Sequence, residues 1–333
     1  MEFIAANPII AVSALLTIGF TVGVCGGFFG VGGAFIVTPA LNVLGFPMVY
    51  AIGTDLAHMA GKSVVGTMKH YRLGNIDFRA AGLLLIGTTP SVRLGVAAVH
   101  ELERHGKTDV YVRVVYIGLL LAIASFMFLD MRRQRGPHKT GARKRIRLSI
   151  PPMISLPRSG IDSVSVWTVI CIGALTGFLA GFLGVGGGFI RMPALLYLVG
   201  MPAKIAVGTD LVEVLFSGGY GSYLYGRAGQ VDITAALIML VGAALGANLG
   251  ALATHYAKAA RIKRLFSFTI LGTAIAVLMK QVGLTIPAAI MLFALGLGMA
   301  GAIIRALVVG IRAERAKKMT DQPALDTVGV TTE

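Results

Sequence analysis

The stretch Gly27-Phe28-Phe29-Gly30-Val31-Gly32-Gly33-Ala34-Phe35-Ile36, followed by Pro39-Ala40-Leu41 and Gly53-Thr54-Asp55-Leu56, occurs twice in slightly altered form. The second copy reads Gly181-Phe182-Leu183-Gly184-Val185-Gly186-Gly187-Gly188-Phe189-Ile190, then Pro193-Ala194-Leu195 and Gly208-Thr209-Asp210-Leu211. Thirteen of the 23 positions in 23–45 match at an offset of 154. One extra residue before Pro202 makes the offset 155, and the match continues through Arg72/Arg227, Gly74/Gly229, Asp77/Asp232, Gly87/Gly242 and Gly95/Gly250. The chain is a duplicated unit.

Composition places both copies in a membrane. The chain is 56% hydrophobic and 14% charged, with a mean hydropathy of +0.79, whereas soluble domains carry about 25% charged residues. Residues 3–54 contain no Asp, Glu, Lys or Arg, and uncharged runs recur at 163–190, 233–254 and 282–304. Each is long enough to cross the hydrocarbon core, which takes about 20 apolar residues. Shorter runs at 80–92, 114–129 and 265–279 become spans once flanking Lys and Arg reach the interface. The start, Met1-Glu2-Phe3, lacks the basic stretch of a secretory signal, so the first apolar segment reads as retained. Cys25 and Cys171 read as packing thiols, with no CxxC pair and no neighbouring His.

The net charge of +15 is concentrated in two places. Arg132, Arg133, Arg135, Lys139, Arg143, Lys144, Arg145, Arg147 and Arg158 fall within 131–160, and Arg312, Arg315, Lys317 and Lys318 follow the last apolar run. Basic loops beside apolar spans mark the cytoplasmic side, and anionic lipid headgroups suffice as their partners. Nucleic acid is not needed to explain the charge. The resulting organisation is a first membrane repeat at 1–130, a flexible basic cytoplasmic linker at 131–162, a second repeat at 163–311 and a disordered cytoplasmic tail at 312–333.

Long helices are expected at 8–28, 48–70, 79–99, 112–130, 164–182, 203–226, 233–254, 264–281 and 285–310. The pieces 34–45 and 188–200 reach only about 18–20 Å at 1.5 Å per residue, too short to span. They read as half-helices joined to the preceding helix through the glycine-rich turns. With the linker and C-terminus in the cytoplasm, the N-terminus lies outside, and the two halves enter the bilayer from opposite faces. The expected fold is an all-α polytopic membrane protein of two inverted repeats, each with a broken-helix hairpin.

Irregular backbone at membrane depth persists only where it is buried in protein or lines a cavity. Backbone amides at Gly30, Gly32, Gly33, Gly184, Gly186, Gly187 and Gly188, ahead of the half-helices, form a candidate anion site. Close helix packing is the competing explanation for glycine, and it does account for Gly242, Gly246 and Gly250. Asp55, His58 and Lys62 share one helix face at i, i+3 and i+7, and their repeat equivalents are Asp210, Glu213 and Ser217. Arg93 falls mid-helix and Arg191 begins the second half-helix. Ionisable groups at such depth are functional candidates. Their competing explanation is mutual neutralisation, for example of Lys62 by Glu213. Two soluble-protein motifs fail: Gly30–Phe35 lacks the third glycine of a dinucleotide fingerprint, and Gly61-Lys62-Ser63 lacks the upstream glycine of a phosphate loop.

The paired Gly-Phe-x-Gly-x-Gly-Gly-x-Phe-Ile…Pro-Ala-Leu blocks, each followed by Gly-Thr-x-Leu and later Gly-x-Ile/Val-Asp, resemble the TauE/SafE sulfite exporter family of toluene-sulfonate uptake permeases over 9–310. The resemblance implies an α-helical permease that moves sulfur-containing anions such as sulfite, thiosulfate or organosulfonates without ATP. The family often has a small hydroxylated residue after Gly-Thr, where this chain has Asp55 and Asp210. An acid beside an anion site suggests proton coupling or a protonated hydrogen-bond donor.

The expected mechanism holds an oxyanion with the glycine-turn amides and the Thr54 and Thr209 hydroxyls. Lys62, Arg191 or Arg93 supplies countercharge, and Asp55, Asp210, Glu213 and His58 exchange protons as the halves rock. The expected setting is the plasma (inner) membrane, with a small anion, protons and lipids as partners; a homodimer stays open. No cofactor or metal is implied, and an enzyme is disfavoured because no catalytic constellation emerges. Two alternatives remain: a cation channel or transporter using Asp55, Asp210 and Glu213, and a membrane scaffold subunit that docks a partner through 131–160.

Overall fold

The computed structural model of the chain describes residues 7–29, 34–133, 150–253 and 259–320. The first half comprises α1 (Pro8–Phe29), α2 (Ala34–Val43), α3 (Met48–Arg72), α4 (Phe78–Arg104) and α5 (Thr108–Arg133). A hairpin, β1 (Met153–Leu156) and β2 (Ile161–Ser165), follows. The second half comprises α6 (Val166–Leu183), α7 (Gly188–Ala194) with a wide π turn over Leu195–Val199, α8 (Ala203–Arg227), α9 (Ile233–Ala253), α10 (Ala259–Gln281) and α11 (Thr285–Thr320). Among the described residues the protein is all-α apart from the hairpin, and six helices are long and apolar enough to cross a membrane.

Matching signals set matching helix boundaries in the two halves. Pro47 and Pro202 precede α3 and α8, each in an extended conformation that cannot continue a helix backwards. Asp77 caps α4 by accepting the Arg79 and Ala80 amides at 3.1 Å, and Asp232 caps α9 by accepting the Ala235 amide at 2.9 Å. Each satisfies amides that have no partner inside the helix.

The halves interlock by exchanging helices. Gly19, Gly23 and Gly27 on α1 lie against the backbones of Met239, Ala243 and Ala247 on α9. At the repeat-equivalent positions, Gly173, Gly177 and Gly181 on α6 lie against Leu84, Thr88 and Val92 on α4. Both sequences ascend together, so each of these pairs runs parallel. The pairing is reciprocal, because Gly242, Gly246 and Gly250 meet the backbone of α1 in turn, and Gly87 and Gly95 meet that of α6. Small residues let backbones approach this closely inside a membrane, where dispersion rather than water exclusion holds helices together.

The equivalent helices α3 and α8 cross at the centre. Leu56 meets Gly218 and Gly221, whereas Gly66 meets Leu211, so they run antiparallel and the two halves pass through the bundle in opposite directions. Helices α5 and α10 pack on one another, and α11 packs on α10, α1 and α9.

Two segments differ from the reading of the sequence. Residues 150–165 belong not to a flexible linker but to the hairpin, whose strands pair Met153 with Ser165 and Ile154 with Val164. It is held down by Arg158 Nε donating to the Gly74 carbonyl at 2.9 Å and by the Ser159 hydroxyl donating to Asp77 Oδ2 at 2.6 Å. The last helix continues to Thr320 rather than stopping near 310, so part of the tail expected to be disordered is helical. The remainder of the linker, 134–149, and residues 321–333 lie outside the described residues.

Candidate functional site

The second glycine turn lies between the two crossing helices. Gly184, Gly186 and Gly187 have φ of 78°, 61° and 68°, a left-handed backbone that side chains oppose. Space is equally restrictive. A Cβ on Gly184 would stand 2.9 Å from Thr38 Oγ1 and 2.9 Å from Ile52 Cα, and one on Gly186 would meet Met59 on α3 and Val214 on α8. Gly188 begins α7. Gly30, Gly32 and Gly33, their counterparts in the first copy, lie outside the described residues.

Two polar clusters flank this turn. On the second-half side, Arg191 projects from α7 and is fully buried. Its Nε donates to Asp210 Oδ1 at 2.6 Å and its Nη2 donates to the Gly186 carbonyl at 2.6 Å, while Nη1 pairs with Glu213 Oε2. Ser217 donates to Glu213 Oε2 at 3.3 Å. The turn therefore offers the guanidinium a carbonyl, and Arg191 is neutralised by carboxylates from its own half. Glu213 takes Arg191 as its cation, not Lys62.

On the first-half side, Asp55 accepts the Thr38 hydroxyl at 2.8 Å, and its Oδ1 lies 3.6 Å from His58 Nδ1. Both residues are completely buried. Lys62, half-buried one turn further along α3, lies in the electrostatic field of Asp55 and of Cys25 on α1. Among the described residues, Asp55 Oδ1, both His58 ring nitrogens and the Tyr116 hydroxyl have no hydrogen-bond partner.

The threonines of the two Gly-Thr motifs are built into the fold. Thr54 Oγ1 accepts the Asp232 amide at 3.0 Å, and Thr209 Oγ1 accepts the Asp77 amide at 3.1 Å. Arg93 does not join the centre. Its neighbour Val92 is buried against Gly181, and the roughly 100° turn to the next position, at 3.6 residues per turn, leaves Arg93 exposed on the outer side of α4.

Thr38 and Tyr116 were not legible as site residues. Thr38 has Met192 at the equivalent repeat position, so the duplication gives no signal for it. Tyr116 looks like an ordinary apolar-helix aromatic until α5 is packed against the bundle. With Asp55, His58, Thr38, Arg191, Asp210 and Glu213 all buried, the centre is closed in this conformation. Among the described residues no group of three His, Cys, Asp or Glu side chains has the arrangement of a metal site.

Residues 15–279 match the family model described as sulfite exporter TauE/SafE. Among curated proteins, the chain is 28% identical over 240 residues to a probable membrane transporter protein, YjnA, of Bacillus subtilis, covering 71% of this chain and 88% of that one. It is 27% identical over 268 residues to a probable membrane transporter protein of Xylella fastidiosa, covering 79% and 92% of the respective lengths. A third similar protein, MJ0441 of Methanocaldococcus jannaschii, is also described as a probable membrane transporter, at 26% identity over 270 residues, covering 75% and 86%. No solved structure matches.

Proposed function

The chain belongs to the sulfite exporter TauE/SafE family of multi-pass membrane transporters, and from that premise we propose that it moves a sulfur-containing anion, such as sulfite, thiosulfate or an organosulfonate, in exchange for or together with protons. The observation that carries this reading is the second glycine turn wedged between antiparallel equivalent helices, with Arg191, Asp210 and Glu213 on one side and Asp55, His58 and Lys62 on the other. Cations and carboxylates at one buried crossing give an anion its countercharge and give protons somewhere to bind.

The cycle is alternating access. In the closed conformation Arg191 is held by Asp210, Glu213 and the Gly186 carbonyl. Opening toward one face separates the α3 and α8 surfaces around the turn and admits the anion to the guanidinium and to Lys62. Protonation of an acid at the crossing lowers the electrostatic penalty for an anion entering there. The N-terminus faces outward and the basic segments face the cytoplasm of a plasma membrane, with the repeats divided as 1–130 and 163–311.

A second reading draws on the acid-rich composition of the centre, where three carboxylates (Asp55, Asp210, Glu213) face Arg191 and Lys62. On that reading the carried ion is a cation. Purified protein in liposomes separates the two. Saturable counterflow of labelled sulfite, thiosulfate or sulfoacetate, driven by a pH gradient and competed by one of them but not by chloride, is the expected result. Sodium- or potassium-dependent flux with no sulfur-anion counterflow would overturn the anion reading.

A further inference from the structure

The two halves share an aspartate at the same repeat position, yet the structure uses the two differently. Asp210 is bound at 2.6 Å to Arg191, whose other hydrogen bond goes to the turn carbonyl of Gly186 and whose remaining nitrogen pairs with Glu213. Asp55 accepts one neutral hydroxyl, from Thr38, and its second oxygen, fully buried, has no hydrogen-bond partner among the described residues. His58, on the adjacent turn, also has no hydrogen-bond partner among the described residues for either ring nitrogen, at zero exposure. Buried polar atoms without partners are rare in folded proteins, and two ionisable side chains that share this condition on one helix face are a place where a proton can be added.

We infer that the coupling proton is carried by the Asp55–His58 pair, and that Arg191, Asp210 and Glu213 form a charge-balanced tie that holds the second glycine turn in place in the closed conformation and releases the guanidinium to the anion without itself taking up the proton. The inference rests on the transport reading above and assigns its proton site.

The chemistry differs between the halves in one respect. A proton added to Asp55 Oδ1 breaks no ion pair at hydrogen-bond distance, and it creates an O–H that faces His58 Nδ1 across 3.6 Å, a gap that a side-chain shift of about 0.5–1 Å closes to hydrogen-bond range. The Thr38 hydroxyl keeps donating to Oδ2. A proton added to Asp210 instead removes the charge that binds Arg191 at 2.6 Å and loosens the tie. Glu213 has an unpartnered oxygen too, Oε1, but its other oxygen pairs with Arg191, so protonation there also weakens the guanidinium's hold. The proton enters from water on the open side, resides on Asp55 as a neutral acid, and leaves to water on the other side after the halves reorient.

The titratable and charged groups around this pair are Lys62 on the same helix, Cys25 on α1 and Tyr116 on α5. Arg191, Asp210 and Glu213, on α7 and α8, lie across the glycine turn, which is wedged between Met59 and Val214. Lys62 is the positive group nearest to offset Asp55 when the proton is gone.

The test combines infrared difference spectroscopy of the purified protein with flux in liposomes. Titrating the wild type should reveal one protonated-carboxyl C=O band that disappears in Asp55→Asn, persists in Asp210→Asn, and shifts its frequency and midpoint pH in Thr38→Val. In liposomes, Asp55→Asn should carry anion only down its gradient, with pH-driven accumulation falling to the equilibrium level. Asp210→Asn should melt at a lower temperature while its residual flux still follows the pH gradient.

Should Asp55→Asn fail to fold, the Thr38→Val band shift decides the matter. An unmoved band in Thr38→Val, or loss of the band or of pH-driven accumulation in Asp210→Asn at unchanged melting temperature, would overturn the assignment. The spectroscopic measurement needs no substrate. Absence of any sulfur-anion flux in the wild type would therefore strike the transport reading while leaving the proton assignment to stand or fall on the band.

Discussion

Thr54 on α3 accepts a hydrogen bond from the backbone amide of Asp232, the residue that caps α9, at 3.0 Å. Its repeat equivalent Thr209 accepts the amide of Asp77, which caps α4, at 3.1 Å. Each Gly-Thr motif thus fastens a loop inside the opposite half, Thr54 the α8–α9 loop and Thr209 the α3–α4 loop. Both hydroxyls are fully buried.

Thr54→Val and Thr209→Val would each strand a buried amide, with an expected loss of about 1–3 kcal/mol. Serine at either position keeps the acceptor and should stay close to wild type. Thermal melting in detergent measures the difference, and a Val variant that melts with the wild type would contradict the assigned role.

The parallel helix pairs depend on the absence of side chains at their contacts. Gly177→Leu would push a branched side chain into the α4 backbone at Thr88, and overpacking of this kind costs about 1–3 kcal/mol or more. Gly118 on α5 has nothing within 4 Å of a built Cβ, so Gly118→Ala should be neutral or stabilise by roughly 0.5–1 kcal/mol. Monodispersity and melting temperature of the two variants, compared side by side, test the packing account.

Arg191 is worth removing both alone and together with its partners. Arg191→Met leaves Asp210 and Glu213 buried without their cation, and breaking a buried pair by removing one member costs about 3–5 kcal/mol. The triple variant Arg191→Met/Asp210→Asn/Glu213→Gln carries no uncompensated charge and should recover much of that loss. If the triple variant melts no higher than the single one, the loss in Arg191→Met comes from packing and not from charge.

The hairpin is pinned to the α3–α4 turn by Ser159 on Asp77 and by Arg158 on the Gly74 carbonyl. Ser159→Ala combined with Arg158→Gln should lower the melting temperature little, by an amount corresponding to about 1–2 kcal/mol, because Asp77 keeps its amide partners. It should speed chymotryptic cleavage within the hairpin several-fold. Unchanged cleavage would show that strand pairing alone holds the hairpin down.

The duplication, the long helices and the two half-helices were all legible before folding, because apolar run length and glycine–proline punctuation are local properties of a chain. So were Asp55, Asp210 and Arg191, since a charge in an apolar run stands out against its neighbours. Contacts made across the bundle were not legible. Arg93 and Arg191 look alike as charges in apolar runs, yet one lies exposed on the outer side of α4 and the other is buried at the crossing. Helix rotation decides between them, and packing sets that rotation.

The sequence by itself determined that this is a twice-repeated membrane bundle with broken helices, because the bilayer constrains length and polarity residue by residue. Only the tertiary structure decided that Glu213 pairs with Arg191 and not Lys62, that Thr54 and Thr209 bind backbone, and that Asp55 and Asp210 stand in unlike surroundings. The two repeat copies are similar enough to pack reciprocally, but side chains that differ between them, Val37 against Arg191 and Thr38 against Met192, meet only at the crossing. There the distance between groups far apart in the chain fixes which charge is satisfied and which is left open.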